Sequence, residues 1–225
     1  MQMYRILFYL IGMSINFLGA ALIVKATVGT GFWTALFVGL RDNFGFTVGV
    51  WYATSMIVTL FVNAMLLKKL PEIQALIPII LESIIFDFWL EIVLSRVDLA
   101  SQLVLLQSVV FLAGVILIGL GVAVYIMPGF PRSPMDQLFL AVKERFKLTM
   151  KMAQTLVAIF VAAIAFLIGG PVGYGSLFAA IALGPLIQFW YSKVLFVYQS
   201  FHPKHANSKQ YQYQYHYYQD QWSTS

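Results

Sequence analysis

The chain has 225 residues, of which 60% are hydrophobic, 16% aromatic and only 10% charged. A soluble domain carries about 25% charged residues, and apolar stretches of about 20 residues recur here, each long enough to cross a hydrocarbon core of roughly 30 Å. This excludes a soluble enzyme and a nucleic-acid binder and points to an integral membrane protein. The absence of cysteine removes disulfides, thiolate nucleophiles and Cys-type metal sites, and the net charge of +5 carries information through its distribution.

In chain order, six spans are expected at about residues 5–24, 49–67, 73–94, 103–126, 152–168 and 174–197. Residues 1–19 resemble a signal peptide only in their apolar character. Arg5 is their single basic flank, and no small-x-small cleavage site leads into a soluble domain, so they are expected to remain as a helix. Pro78, inside the third span, should free the carbonyl of Gln74 and kink that helix. The chain then reads as one membrane domain, residues 1–198. Residues 199–225 form a tail of alternating tyrosine and glutamine that cannot bury a core and is expected to be disordered and cytoplasmic. His202, His205 and His216 lie in that tail, where the ordinary reading is a solvated segment and not a metal site.

Lysine and arginine set the expected orientation. With six spans and the N-terminus inside, eleven basic residues face the cytoplasm and only Lys25, Arg41 and Arg96 face outward. Positive charge favours the cytoplasmic side, so both termini are expected there.

Shifting the chain on itself by 102 residues gives eight identities over 36 positions, among them Gly12 with Gly114, Gly19 with Gly121, Phe37 with Phe139 and Thr47 with Thr149. Each half, residues 5–94 and 103–197, then holds three spans. An odd number turns the second half upside down relative to the first. The fold class expected is therefore an all-α membrane protein of six spans built as two inverted three-helix repeats, the architecture of many secondary transporters. In each half a breaker, 25–34 or 127–136, precedes a short apolar-aromatic helix at 34–44 or 136–146. Eleven residues reach about 16 Å, too short to span, so each helix is re-entrant or interfacial.

The candidate contacts for a substrate or ion are few. Three acids fall in the third span. Glu82 sits near its midpoint, where an ionisable group is costly and marks a functional candidate; no lysine or arginine lies deep in another span to pair with it. Asn16, at similar depth in the first span, is the expected hydrogen-bond partner. Asp87 and Glu91 lie one turn apart on one face, nearer the outside. Ser133, Pro134 and Asp136 form a helix-start signature, so Asp136 either caps a helix or meets a ligand. Arg132 precedes it. Trp33 in the first breaker either stacks on a ligand or anchors at the interface. Gly169, Gly170, Gly173 and Gly175 in GGPVGYG make a tight turn or an anion-holding nest; no Gly-Lys-Ser/Thr follows, so a nucleotide loop is rejected. Gly12, Gly19, Gly114 and Gly121 are read as points of close helix approach. No HExxH, GxSxG or serine–histidine–acid set is present, so neither catalysis nor a cofactor nor a metal is expected.

FYLIG, GLGVAVYIMPG followed by SPMD, IFDFW and GGPVGYGS together carry a resemblance over about residues 5–195: the chain resembles the YczE/YyaS/YitT group of bacterial multi-pass membrane proteins, and the YczE type most. That group typically shows Pro-Trp-Asp in the first loop and Pro-x-Asp in the second. The second is present as Pro134-Met135-Asp136, whereas the first reads Phe32-Trp33-Thr34, so a shared two-acid site does not carry over. The resemblance implies a bacterial inner-membrane protein and little about chemistry.

The function expected is a small secondary transporter or permease of unspecified substrate. The rival is a membrane regulator or accessory subunit that moves nothing, including the substrate-binding subunit of a larger importer. Partners would be the lipid bilayer, a small molecule or ion and, for the rival, a protein or a second copy. Deleting the tail discriminates, since a transporter core should survive without it.

Overall fold

A computed structural model describes residues 2–130 and 133–201. Every regular element among them is helical: α1 (Gln2–Ala26), α2 (Phe32–Phe44), α3 (Val48–Leu67), α4 (Leu76–Asp87), α5 (Val104–Ile126), α6 (Pro134–Phe146), α7 (Met150–Leu167) and α8 (Tyr174–Phe201). Arg132 and most of the tail, including its three histidines, lie outside the described residues. The first three residues assigned to the tail continue α8 to Phe201.

Five of the helices are long and apolar enough to cross a bilayer, at Met3–Ala26, Val48–Leu67, Val104–Ile126, Met150–Leu167 and Tyr174–Tyr198. The expected third span is not one regular helix. It is a 3₁₀ turn at Ile73–Ala75, the 12-residue α4, and a π-helical turn at Phe88–Val93. Pro78 does not kink a running helix, because α4 begins at Leu76 and Pro78 falls in its first turn, where a missing N–H costs nothing. The wider π turn also separates the two acids that α-helical spacing places on one face: Asp87 is half-buried and Glu91 exposed.

Many large apolar side chains point outward, among them Ile77, Leu105, Phe160, Leu177 and Phe196. In water such a surface would drive aggregation; in a bilayer it is the face that meets lipid. The interior is centred on Phe17, Trp33, Phe37, Tyr52, Met56 and Phe86.

α1 and α5 form the central pair, and the four glycines named above allow it. A Cβ on Gly19 would lie 2.6 Å from the Gly114 carbonyl oxygen, and one on Gly114 would lie 2.7 Å from Ile23. Gly12 faces Tyr125 and Gly121 faces Asn16, again backbone against backbone. Side chains at these four positions would force the helices apart.

The short helices cross between the halves of the chain. α2 packs on α7, and α6 packs on α3. Asn43 Nδ2 donates to the Ile168 carbonyl at the end of α7 (2.6 Å), and buried Asn63 Nδ2 on α3 donates to the Pro134 carbonyl at the start of α6 (2.8 Å). Both short helices stop at a residue of positive φ, Gly45 (φ 77°) and Lys147 (φ 53°). Each following helix, α3 and α7, is then N-capped by a threonine side chain, Thr47 accepting from Val50 N–H and Thr149 from Met152 N–H.

Candidate functional site

Both breakers are tied down. Thr27 and Gly29 carry positive φ (58° and 113°), which turns the chain sharply after α1. The segment then interlocks with GGPVGYG: Thr30 N–H donates to the Pro171 carbonyl (3.0 Å), Gly175 N–H to the Val28 carbonyl (3.1 Å), and the Ser176 hydroxyl to the Thr30 carbonyl. Gly169 supplies a left-handed turn (φ 73°), and Gly170, Gly173 and Gly175 lie against the backbones of Ala35, Val28 and Gly29. GGPVGYG is therefore a tightly packed turn whose amides and glycines engage the first breaker. The second breaker is held by Arg5, whose Nε and Nη2 donate to the Pro128 carbonyl at 3.0 and 2.6 Å and whose guanidinium lies 5.3 Å from the Phe130 ring centre.

So fixed, the breakers aim the first turns of α2 and α6 at one cavity of about 300 Å³. Gly31, Phe32, Trp33 and Thr34 line it from α2, and Ser133, Met135 and Asp136 from α6. The C-terminal ends of both helices, at Phe44 and Phe146, are exposed. Ser133 stands at the N-cap and Pro134 at the first helical position, as the sequence signature indicates, yet the serine side chain makes no capping bond.

Four of the six expected contact residues meet here: Asn16 from α1, Trp33 from α2, Glu82 from α4 and Asp136 from α6. Glu82 is buried, and its carboxylate accepts a hydrogen bond from the Tyr52 hydroxyl and not from Asn16. Trp33 is only 8% exposed, which settles it inside the fold and not at the lipid interface; its indole N–H has no hydrogen-bond partner among the described residues. Tyr52 and Tyr125, which also line the cavity, escaped the reading of the sequence. A tyrosine buried within an apolar span needs a partner for its hydroxyl, and that was the available signal for Tyr52.

Asp87 belongs elsewhere. Its Oδ1 accepts from Gly49 N–H (2.7 Å) and its Oδ2 from the Thr47 hydroxyl (2.5 Å), so it caps the start of α3. Four free amides at a helix start attract a carboxylate, and α4 delivers one. Arg132 lies outside the described residues.

A larger groove of about 650 Å³ runs between α3 and α7, but its walls are almost wholly apolar, with Leu36, Val58, Leu138 and Phe160 among them. The smaller cavity is the one that brings ionisable groups together. Among the described residues no cluster of three His, Cys, Asp or Glu side chains fit to hold a metal occurs.

The profile of the family of unknown function DUF6198 matches residues 3–192. Among curated proteins, the "Uncharacterized protein YyaS" of Bacillus subtilis (strain 168) is 34% identical over 184 residues, covering 82% of this chain and 90% of that protein. The "Uncharacterized membrane protein YczE" of the same organism is 27% identical over 183 residues, covering 81% and 83%. An "Uncharacterized protein" of Haemophilus influenzae is 30% identical over 182 residues, covering 80% of each. No solved structure matches. A multi-helical chain with lipid-facing apolar surfaces, matched over most of its length by these proteins, belongs to the DUF6198 family and is of the YczE/YyaS type.

Proposed function

We propose that this protein is a small secondary permease of the bacterial inner membrane, with both termini in the cytoplasm and the substrate bound in the cavity shared by α1, α2, α4 and α6. In this reading α4 and its flanking turns complete a sixth crossing. Residues 5–94 and 103–197 are then inverted repeats related by an axis in the membrane plane.

The contacts support that symmetry. Under the 102-residue shift, the approach of Gly12 to Tyr125 maps onto that of Gly114 to Ile23, and the approach of Gly19 to Ile118 onto that of Gly121 to Asn16. The packing of α2 on α7 maps onto that of α6 on α3. The apolar groove is lined both by Leu36, Val58 and Val62 and by Leu138, Phe160 and Ile164, again 102 apart. A two-fold relation between unlike sequences permits two arrangements of similar energy, the requirement for opening one site to alternate sides.

The observation that carries the proposal is the convergence of two breaker-capped short helices on one cavity holding two carboxyl groups. α2 and α6 act as re-entrant gates, each thirteen residues or about 20 Å long, entering from opposite faces. The protein transports and does not catalyse.

Flux into or out of proteoliposomes, screened over candidate solutes, tests this. Glu82→Gln and Asp136→Asn should abolish uptake or efflux while expression and folding persist; normal flux in both variants ends the proposal. Single cysteines near Leu40 and Lys143 should react with an impermeant reagent from opposite compartments. Reaction of both from one side removes the inverted arrangement.

A further inference from the structure

The groove between α3 and α7 has a ligand chemistry of its own, separate from that of the cavity. Side chains of α3 and α7 line it, together with Leu36 and Leu40 of α2 and Leu138 and Val142 of α6. Its polar groups are largely spent. The Thr54 and Thr59 hydroxyls donate to the Val50 and Ser55 carbonyls of their own helix, at 2.9 and 2.7 Å, and the Trp51 indole N–H donates to the Gly45 carbonyl at 2.7 Å. The groove therefore presents almost only carbon to whatever fills it.

The lining continues into the lipid-facing surface. Val58, Val62, Leu156 and Phe160 line the groove and are exposed, and they belong to two of the long apolar helices. In a bilayer, hydrocarbon fills such a recess, because water there would lose its hydrogen bonds. The size suits an acyl chain. Along α3 the lining runs from Trp51 to Leu66, about 22 Å of helix, against about 15 Å for one leaflet. A cavity of about 150 Å³ holds the carbons of benzene, so one of about 650 Å³ takes roughly two dozen carbon atoms.

One end of the groove is basic. Leu66 and Phe146 mark that end. Lys68 and Lys69 follow α3, Lys143 and Arg145 lie in the last turn of α6, Lys147 ends that helix, and Lys151 stands in the first turn of α7; all six are exposed. The packing of α6 on both α3 and α7 gathers them, and Gln137 Nε2 of α6 donates to Glu72 Oε2 just after α3 at 2.7 Å. Two acids, Glu72 and Glu144, stand against these six bases. None of the six is in an ion pair among the described residues, whereas Arg41, at the Trp51 end, is paired with Asp42 at 2.8 Å. Lys151 also sits at the positive end of α7, in a turn without an acid, a placement that is unfavourable until an anion approaches.

A second copy of the chain suits the groove less well. Helices approach closely in lipid through small residues, as α1 and α5 do here through glycine, and no glycine or alanine is among the described residues that line the groove. We propose that the groove between α3 and α7 binds an anionic phospholipid, with an acyl chain in the groove and the phosphate held among Lys68, Lys69, Lys147 and Lys151.

The test is lipid binding to the purified full-length protein in an uncharged detergent, read as lipid adducts in native mass spectrometry and as the rise in thermal midpoint with lipid concentration. The probes are dioleoyl phosphatidylglycerol, dioleoyl phosphatidylcholine with the same chains, and glycerol phosphate with none. A basic residue beside an anionic headgroup is worth about a fivefold change in binding. Phosphatidylglycerol should therefore bind and stabilise, phosphatidylcholine at least about fivefold more weakly, and glycerol phosphate should raise no midpoint. Replacing Lys147→Gln and Lys151→Gln together should weaken phosphatidylglycerol by about tenfold or more and leave phosphatidylcholine unchanged; Arg96→Gln, exposed in the loop before α5, should alter neither. Val62→Trp, which fills the groove, should weaken both lipids several-fold, whereas Leu105→Trp, exposed on α5, should not. Phosphatidylcholine bound as tightly as phosphatidylglycerol, glycerol phosphate bound as tightly as either, or a lipid-free dimer that Val62→Trp dissociates overturns the inference. The wild-type panel decides even if a variant fails to fold. The groove shares no ionisable group with the cavity, so lipid binding and flux stand or fall separately.

Discussion

Adding a single methyl group to Gly19 tests the packing on which the architecture depends. The new Cβ would lie 2.6 Å from the Gly114 carbonyl oxygen and 2.8 Å from the Ile118 amide nitrogen. Ordinary contact begins at 3.4 Å, so the shortfall is about 0.8 Å against backbone on the facing helix, which cannot rotate aside. α1 and α5 must separate along their seam. Overpacking of this kind costs about 1–3 kcal/mol, and for a chain of this size each kcal/mol moves the midpoint by about 2–4 °C. Gly19→Ala should therefore lower the thermal midpoint by about 2–12 °C in a fixed detergent, followed by tryptophan fluorescence. Its equivalent, Gly121→Ala, meets Asn16 Cα at 2.6 Å and Cβ at 2.8 Å and should cost a similar amount. Gly31→Ala is the control: φ is −56° and no heavy atom lies within 4 Å of the new Cβ, so its midpoint should stay within about 2 °C. If either seam variant is as stable as the control, the close crossing of α1 and α5 is refuted. A large cost at only one of the two would refute the two-fold relation.

Three further outcomes are expected. Asp87→Ala strips two hydrogen bonds from the start of α3 and should destabilise by about 2–4 kcal/mol, measured as the same midpoint; an unchanged midpoint would show that Asp87 does not cap α3. Arg5→Gln releases the Pro128 carbonyl, so a cysteine placed at Met127, which is 1% exposed in the native packing, should react with a maleimide several-fold faster in that background; equal rates would show that Arg5 does not pin the second breaker. Tyr52→Phe removes the donor to the Glu82 carboxylate and should cost about 1.5–3 kcal/mol, an effect largely absent when Glu82 is already leucine. Additivity of the two changes would deny the contact.

The membrane class, the positions of the long helices and the two short ones were legible because each is a local property. Apolar length gives a span, and Pro, Gly and Ser mark where a helix starts or stops. Thus α6 begins at Pro134 and α3 after Thr47, and the glycines at positions 12, 19, 114 and 121 do mark a close crossing. The third span was read as regular because hydropathy is blind to helix type; a 3₁₀ entry and a π exit carry the same composition as an α-helix.

The site divides along the same line. That an acid at the middle of a span is a candidate for the site follows from the cost of burying charge, which needs only the sequence. The partners of that acid do not follow. Asn16 and Glu82 share a depth, yet Tyr52 makes the hydrogen bond, because crossing angle and rotation decide which side chain arrives first. Asp87 and Asp136 look alike in sequence, each an acid beside a helix end; one caps α3 and the other lines the cavity. Hydrophobicity and chain punctuation are written one residue at a time, so the sequence alone determined what must lie in lipid and where the chain must break. Only tertiary packing decided which broken ends face each other, since that depends on contacts between residues as far as 146 positions apart, which no local pattern encodes.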